Sequence, residues 1–122
     1  MSSIFDNENF KPFHKKKYEI YIGKEFVCLS VKTIERLNFP QYVQLFINNN
    51  DKLFGIKSCK KNSKNSIRLS KNKKVGFYNK NIVSELRTLT CIDQNFKVEG
   101  NYIEEENALL FDLKKAYIVK GN

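Results

Sequence analysis

The sequence predicts a β-rich α+β domain in which two strand–short helix–β-hairpin halves share one core. Three observations predict it. Apolar residues alternate through short segments that are separated by residues with turn chemistry. Two stretches place apolar residues three or four apart behind a residue suited to capping a helix. These features occur in the same order twice, on either side of a basic stretch, KSCKKNSKNSIRLSKNKK (57–74), that contains no acid.

Residues 1–16 are expected to form an N-terminal arm, with Pro12 disfavouring helix in the residue before it. In YEIYIGKEFVCL, Tyr18, Ile20 and Ile22 share one strand face. Gly23 and Lys24 then offer a turn before Phe26, Val27, Cys28 and Leu29. Ser30 is a good N-cap, because its hydroxyl can accept a first-turn amide that lacks a helical partner. Val31, Ile34 and Leu37 then recur on one face of a two-turn helix. Asn38 suits the left-handed position after it, and Pro40 prevents continuation. Next, Val43, Leu45 and Ile47 define one face of a strand, NNND a turn, and KLFGIKSC the returning strand.

The order then repeats. KVGFY reads as a strand, and Asn79 as the N-cap of a helix whose stripe is Ile82, Val83, Leu86 and Leu89. NFKVEGNYI, the turn EEEN and ALLFDL form a second hairpin, with Leu109, Phe111 and Leu113 on one face. Aligning Leu37 with Leu86 brings Ser30 onto Asn79 and Ile34 onto Val83. The expected organisation is one domain, 17–122, of two pseudo-repeats (17–59 and 75–119) joined by a basic connector, 60–74. A unit of roughly 40 residues cannot bury both faces of its own hairpin, so each half needs the other.

The run FVCLSVKTIERLNF followed by YVQLFINNNDKLFGIKSC resembles the swapped-hairpin unit of the AbrB/SpoVT family of bacterial transition-state regulators and antitoxins. FYNKNIVSELRTL through ALLFDL resembles it a second time. In that family two short chains interlock into one barrel-like DNA-binding dimer. The resemblance implies a tandem, single-chain version of that barrel and a bacterial, cytoplasmic transcriptional regulator or accessory factor. The chain departs from the family where DNA is read. The family's helix begins with Pro, whereas Ser30 and Asn79 stand here. The family's arginine positions fall on Phe26, Ile34 and Glu35, and on Val75, Val83 and Ser84. Lys24, Arg36, Lys74, Lys80 and Arg87 lie near these positions but out of phase.

Composition narrows the function. The 122 residues are 41% hydrophobic, which is enough for one core and too apolar for a disordered chain. No apolar run approaches the roughly 20 residues of a transmembrane helix, and MSSIFDNENFKPF lacks the order of a signal peptide, so a cytoplasmic protein without membrane contact is expected. Cys28, Cys59 and Cys91 include no CxxC pair and His14 is the only histidine. The cysteines therefore read as small buried hydrophobes, with no metal or other cofactor expected. His14 lies in a basic run, and EEEN between alternating segments reads as a solvated turn rather than an acid/base pair. No glycine-rich phosphate loop occurs. An enzyme is not expected.

The charge distribution points to a polyanion. The formal net charge is +9, and residues 57–74 supply eight of the 22 Lys and Arg residues. The expected phosphate contacts are Lys57, Lys60, Lys61, Lys64, Arg68, Lys71, Lys73 and Lys74, with Lys15, Lys16 and Lys17 as an arm and Lys24 nearby. Lysine predominates, and it acts as a point charge rather than a bidentate base reader. Duplex DNA held mainly through its backbone is therefore the expected partner of a monomer or weak dimer. Phe13, Tyr18 and Tyr78 are candidates for stacking on bases. The alternative is a protein-interaction module or inhibitor, of mobile-element origin, with YIEEENALLF offering a strand edge to a protein partner.

Overall fold

A computed structural model describes residues 17–71 and 75–119. The N-terminal arm and its His14 and Phe13 fall outside those residues. In chain order the elements are β1 (Glu19–Ile22), β2 (Phe26–Leu29), α1 (Val31–Arg36), β3 (Tyr42–Asn48), β4 (Leu53–Cys59), β5 (Ile67–Arg68) and β6 (Ser70–Lys71). They continue with β7 (Val75–Tyr78), α2 (Lys80–Thr90), β8 (Phe96–Ile103), β9 (Ala108–Asp112), a 3-10 turn over Leu113–Lys115 and β10 (Tyr117–Ile118). The class is α+β and strand-rich, as expected.

Every strand pairing is antiparallel, in the order β5-β3-β4-β9-β8-β1-β2-β7-β6, with β10 added to β8. The two strands that end this order, β5 and β6, are separated in sequence only by Leu69. The sheet thus curls into a nearly closed barrel. Here the structure departs from a simple connector. Tyr42 and Val43 pair with Arg68 and Ile67, while Gly76 and Val75 pair with Ser70 and Lys71. The physical reason is the apolar pair within the cations. Leu69 is buried, Ile67 packs against the core, and the Leu69 amide donates to the Gln41 carbonyl at 2.9 Å.

The core follows the alternation. Ile20, Ile22, Val27, Val43, Phe54, Ile56, Phe96, Val98, Leu109 and Phe111 are wholly buried from six strands. Val83 and Leu86 of α2 join them, with Ile82 and Leu89 packed alongside. Leu45 and Ile47 pack inward beside Val43, so Tyr42, Gln44 and Phe46 belong to the outer face of β3.

Both caps form as the residue types dictate. Ser30 Oγ accepts from the Thr33 amide, and Asn79 Oδ1 from the amides of Asn81 and Ile82. Ser30 also ties α1 to β1, accepting from the Glu19 amide at 3.1 Å and donating to the Lys17 carbonyl at 2.7 Å. Asn38 takes the left-handed conformation after α1 (φ 63°), and the Phe39 amide reaches the Ile34 carbonyl in a Schellman closure. The four-residue turns 49–52 and 104–107 both end on a left-handed residue, Lys52 and Asn107.

Two expectations are corrected. Val31 is 62% exposed, because a helix this short turns Thr33, Ile34 and Leu37 to the barrel and leaves its first residue outside. The cysteines are not uniformly buried. Cys91 is exposed, since it occupies the left-handed position that ends α2, and Cys28 and Cys59 are half-buried.

Arg87 is the principal polar fastener. Its guanidinium donates to the carbonyls of Gly23 (2.5 Å), Gln94 (2.5 Å) and Ile92 (3.4 Å), joining α2 to the β1–β2 turn and to the segment that enters β8. Charge-assisted bonds of this kind contribute about 1.5–3 kcal/mol each. Arg87→Ala is therefore expected to lower stability by about 2–3 kcal/mol in urea unfolding, for the bonds are coupled and not additive. Arg87→Lys recovers less than half of that loss, because one ammonium cannot reach both the carbonyls that Nη1 serves and the one that Nη2 serves. Full recovery by lysine would show that charge alone matters there.

Candidate nucleic-acid interface

Among the described residues the basic stretch runs from the end of β4 through the loop to β5 and on into β6. The register fixes its place. Tyr42 is opposite Cys59 on β4 and Arg68 on β5, so the loop over residues 60–66 leaves and returns beside the start of β3. Its shape is set from within. Lys60's amide donates to Ser63 Oγ at 3.1 Å, the Ser66 hydroxyl donates to the Lys61 carbonyl at 2.8 Å, and Asn65 is left-handed at φ 57°. Gln44 then fastens the loop to the barrel, with Nε2 donating to the Lys64 carbonyl at 2.8 Å.

The expected cations whose side chains the structure describes divide into three groups. Lys60, Lys61, Lys64 and Arg68 are exposed, gathered on this loop and edge, and make no ion pair among the described residues. Lys17 and Lys57 are partly neutralised, by Glu99 at 3.0 Å and Glu106 at 3.5 Å. The Glu99 carboxylate holds the Lys17 ammonium pKa above its ordinary value, through the hydrogen bond first and the opposite charge second. Lys24 stands apart, in an open cleft of about 750 Å³ that Lys80, Asn81, Ser84 and Arg87 also line. Lys15, Lys16, Lys73 and Lys74 lie outside the described residues, as does the side chain of Lys71.

The aromatic candidates separate as well. Tyr18 is half-buried beneath the Lys32 ammonium, 4.4 Å from its ring centre. Tyr78 is 77% exposed and packs on Phe26 with ring centres 4.6 Å apart. Tyr42, Gln44 and Phe46 join the site without having been expected there. Their signal lies in the parity of β3, since they alternate with Val43, Leu45 and Ile47. Phe46 is 49% exposed, and the Lys57 ammonium lies 5.9 Å from its ring centre.

Elsewhere, Glu104, Glu105 and Glu106 are exposed at the turn between β8 and β9. β9 pairs with β4 on one side and β8 on the other, which leaves it no free edge. Tyr117 donates its hydroxyl proton to Glu19 Oε2, and that bond, with some burial, pushes its pKa up to about 12. Among the described residues no group of three or more His, Cys, Asp or Glu is placed to hold a metal ion, and no helix is long and apolar enough to cross a membrane. The arrangement offers cations and an exposed ring.

Comparison with known proteins adds no assignment: no family model, no curated protein and no solved structure matches this chain.

Proposed function

We propose that this chain is a non-catalytic nucleic-acid-binding protein, a transcriptional regulator or accessory factor, that grips the phosphate backbone through its basic loop. One observation carries the reading. Lys60, Lys61 and Lys64, on a loop whose backbone is pinned by Ser63, Ser66 and Gln44, are exposed together with Arg68 of the adjoining β5, with no acid among them. Four such cations release counterions from a polyanion, whereas a merely solvated surface has no need of a single-sign cluster.

The tandem AbrB-like barrel is part of this proposal. Strand pairing supports it. Exchanging β1 with β5–β6, β2 with β7, β3 with β8 and β4 with β9 returns the same circular strand order. A single chain then completes the barrel as a monomer. The family's arginine positions are not basic here, so binding rests on phosphates and is weakly sequence-specific.

Random-sequence duplex DNA in a fluorescence anisotropy titration is expected to bind at about 50 mM salt and to weaken steeply by about 200 mM. Replacing Lys60, Lys61 and Lys64 together by alanine should reduce the slope of log K against log salt by about 3, close to one for each phosphate that is no longer neutralised. Absence of binding at the lower salt, or an unchanged slope in the triple variant, overturns the assignment. A second reading, a protein-docking module, is favoured by one feature. Val31 and Phe39, each 62% exposed, border an apolar hollow with Ile34 and Val75.

A further inference from the structure

The outer face of β3 carries more than charge. Across the sheet at this point lie Arg68 on β5, Tyr42 on β3, then Gln44 opposite Lys57, then Phe46 opposite Gly55. Tyr42 and Phe46 are four residues apart on one face, hence separated by about 13 Å along the strand. Lys57 is paired with the residue midway between them, and Gln44 carries the basic loop through its bond to the Lys64 carbonyl. Gly55 keeps the floor beside Phe46 low: a β-carbon there would stand 3.7 Å from Phe46 Cβ and 3.8 Å from Leu110 Cδ1. An aromatic ring half open to solvent, with a shallow floor, Lys57 beside it and Arg68 and the basic loop farther along the strand, has the form of a platform for a planar group joined to phosphates.

A duplex cannot use such a ring. Its base faces are covered by their neighbours, and only its backbone meets a protein surface without unpairing. In a single strand the faces are free, and stacking on a side-chain ring adds to phosphate contact while remaining tolerant of sequence. Glu106 faces the same site, at 3.5 Å from Lys57. Its carboxylate is well exposed while Lys57 is half-buried, and a pair open to solvent on one side holds too weakly to keep the lysine from a phosphate.

We propose that the outer face of β3 and β4 is a stacking platform for single-stranded nucleic acid, in which Phe46 receives a base while Lys57, Lys64 and Arg68 hold the adjoining phosphates. The proposal rests on the phosphate-binding reading of the same loop and adds a substrate class to it.

Three labelled probes test it by anisotropy at about 50 mM salt, where phosphate contacts are strong: an oligothymidylate, an abasic strand with the same number of phosphates, and a duplex. The wild-type protein should bind oligothymidylate about tenfold or more tighter than the abasic strand, as one stacked base warrants. Phe46→Ala should abolish that difference while leaving the abasic strand and the duplex bound as before. Phe46→Leu, which keeps an apolar side chain but no ring, should behave like Phe46→Ala. The side chain projects from the outer face, so both variants are expected to keep the wild-type unfolding midpoint. Equal wild-type binding of oligothymidylate and abasic strand, rescue by leucine, or an equal loss on all three probes overturns the platform and leaves phosphate binding standing. Failure of the wild-type protein to bind any probe overturns both.

Discussion

Gly76→Ala is expected to lower stability by about 3 kcal/mol or more, the upper end of what overpacking costs. A methyl group at Gly76 would lie 2.0 Å from the Val27 carbonyl oxygen, 2.8 Å from Phe26 Cζ and 3.0 Å from Cys28 Cα. Two of those atoms are backbone of the paired strand, so no change of rotamer relieves the clash. The glycine is needed for close approach and not for its dihedral angles, since no glycine here has positive φ among the described residues. Relief requires β7 to move away from β2. That movement breaks the Val27–Phe77 pairing and uncovers Phe77, which is 2% exposed. Urea unfolding of Gly76→Ala beside Gly55→Ala checks the point. At Gly55 the nearest atoms to an added methyl are 3.7 Å or more away, in ordinary contact, so that variant should stay near wild type. A wild-type midpoint for Gly76→Ala would refute the close approach of β2 and β7.

The second large effect is at Phe111, whose replacement by alanine should cost about 3–5 kcal/mol. The ring is wholly buried and faces Phe54 with centres 6.3 Å apart. It also fills the space that a side chain at position 100 would need: a β-carbon there would meet Phe111 Cε1 at 2.5 Å and Cδ1 at 2.6 Å. Gly100→Ala should therefore be destabilising by about 1–3 kcal/mol in the native background. In a Phe111→Leu background the flat ring is gone and the same change should cost less, by at least about 0.5 kcal/mol. Some cost will persist, because the Leu110 carbonyl oxygen lies 3.0 Å from the same point. Urea unfolding of the two single variants and the double variant measures the coupling. Strict additivity would mean that the ring is not what keeps position 100 bare.

Much of the fold was legible, for a reason visible in particular residues. Val43, Leu45 and Ile47, or Leu109 and Phe111, take their faces from a period of two, whereas Leu113, expected on the same strand face, is buried from the 3-10 turn that follows β9. Ser30 and Asn79 announce helices through local hydrogen bonds, which need nothing distant. Closure of the barrel was not legible in the same way. β5 and β6 are two residues each, too short for periodicity, and Ile67 and Leu69 are surrounded by cations. Arg87 was unreadable because its partners are backbone carbonyls, which a sequence does not distinguish. Among the cations the cluster itself is a matter of composition. Which members remain unpaired depends on Glu106 and Glu99, brought to Lys57 and Lys17 by strand pairing across the barrel.

The pairings of β2 with β7 and of β4 with β9 also govern how the chain must be made. Residues 17–59 leave the ribosome before residues 75–112, so β2 and β4 wait for partners at Val75–Tyr78 and Ala108–Asp112. Until those segments emerge, the nascent chain shows open strand edges bearing Val27, Phe54 and Ile56, which is the kind of surface that pairs with a neighbouring chain. Contacts of such long sequence separation also slow folding, so the exposed interval is prolonged. For a newborn molecule the danger is an identical neighbour on the same message, whose later strands fit the waiting edges as well as its own do.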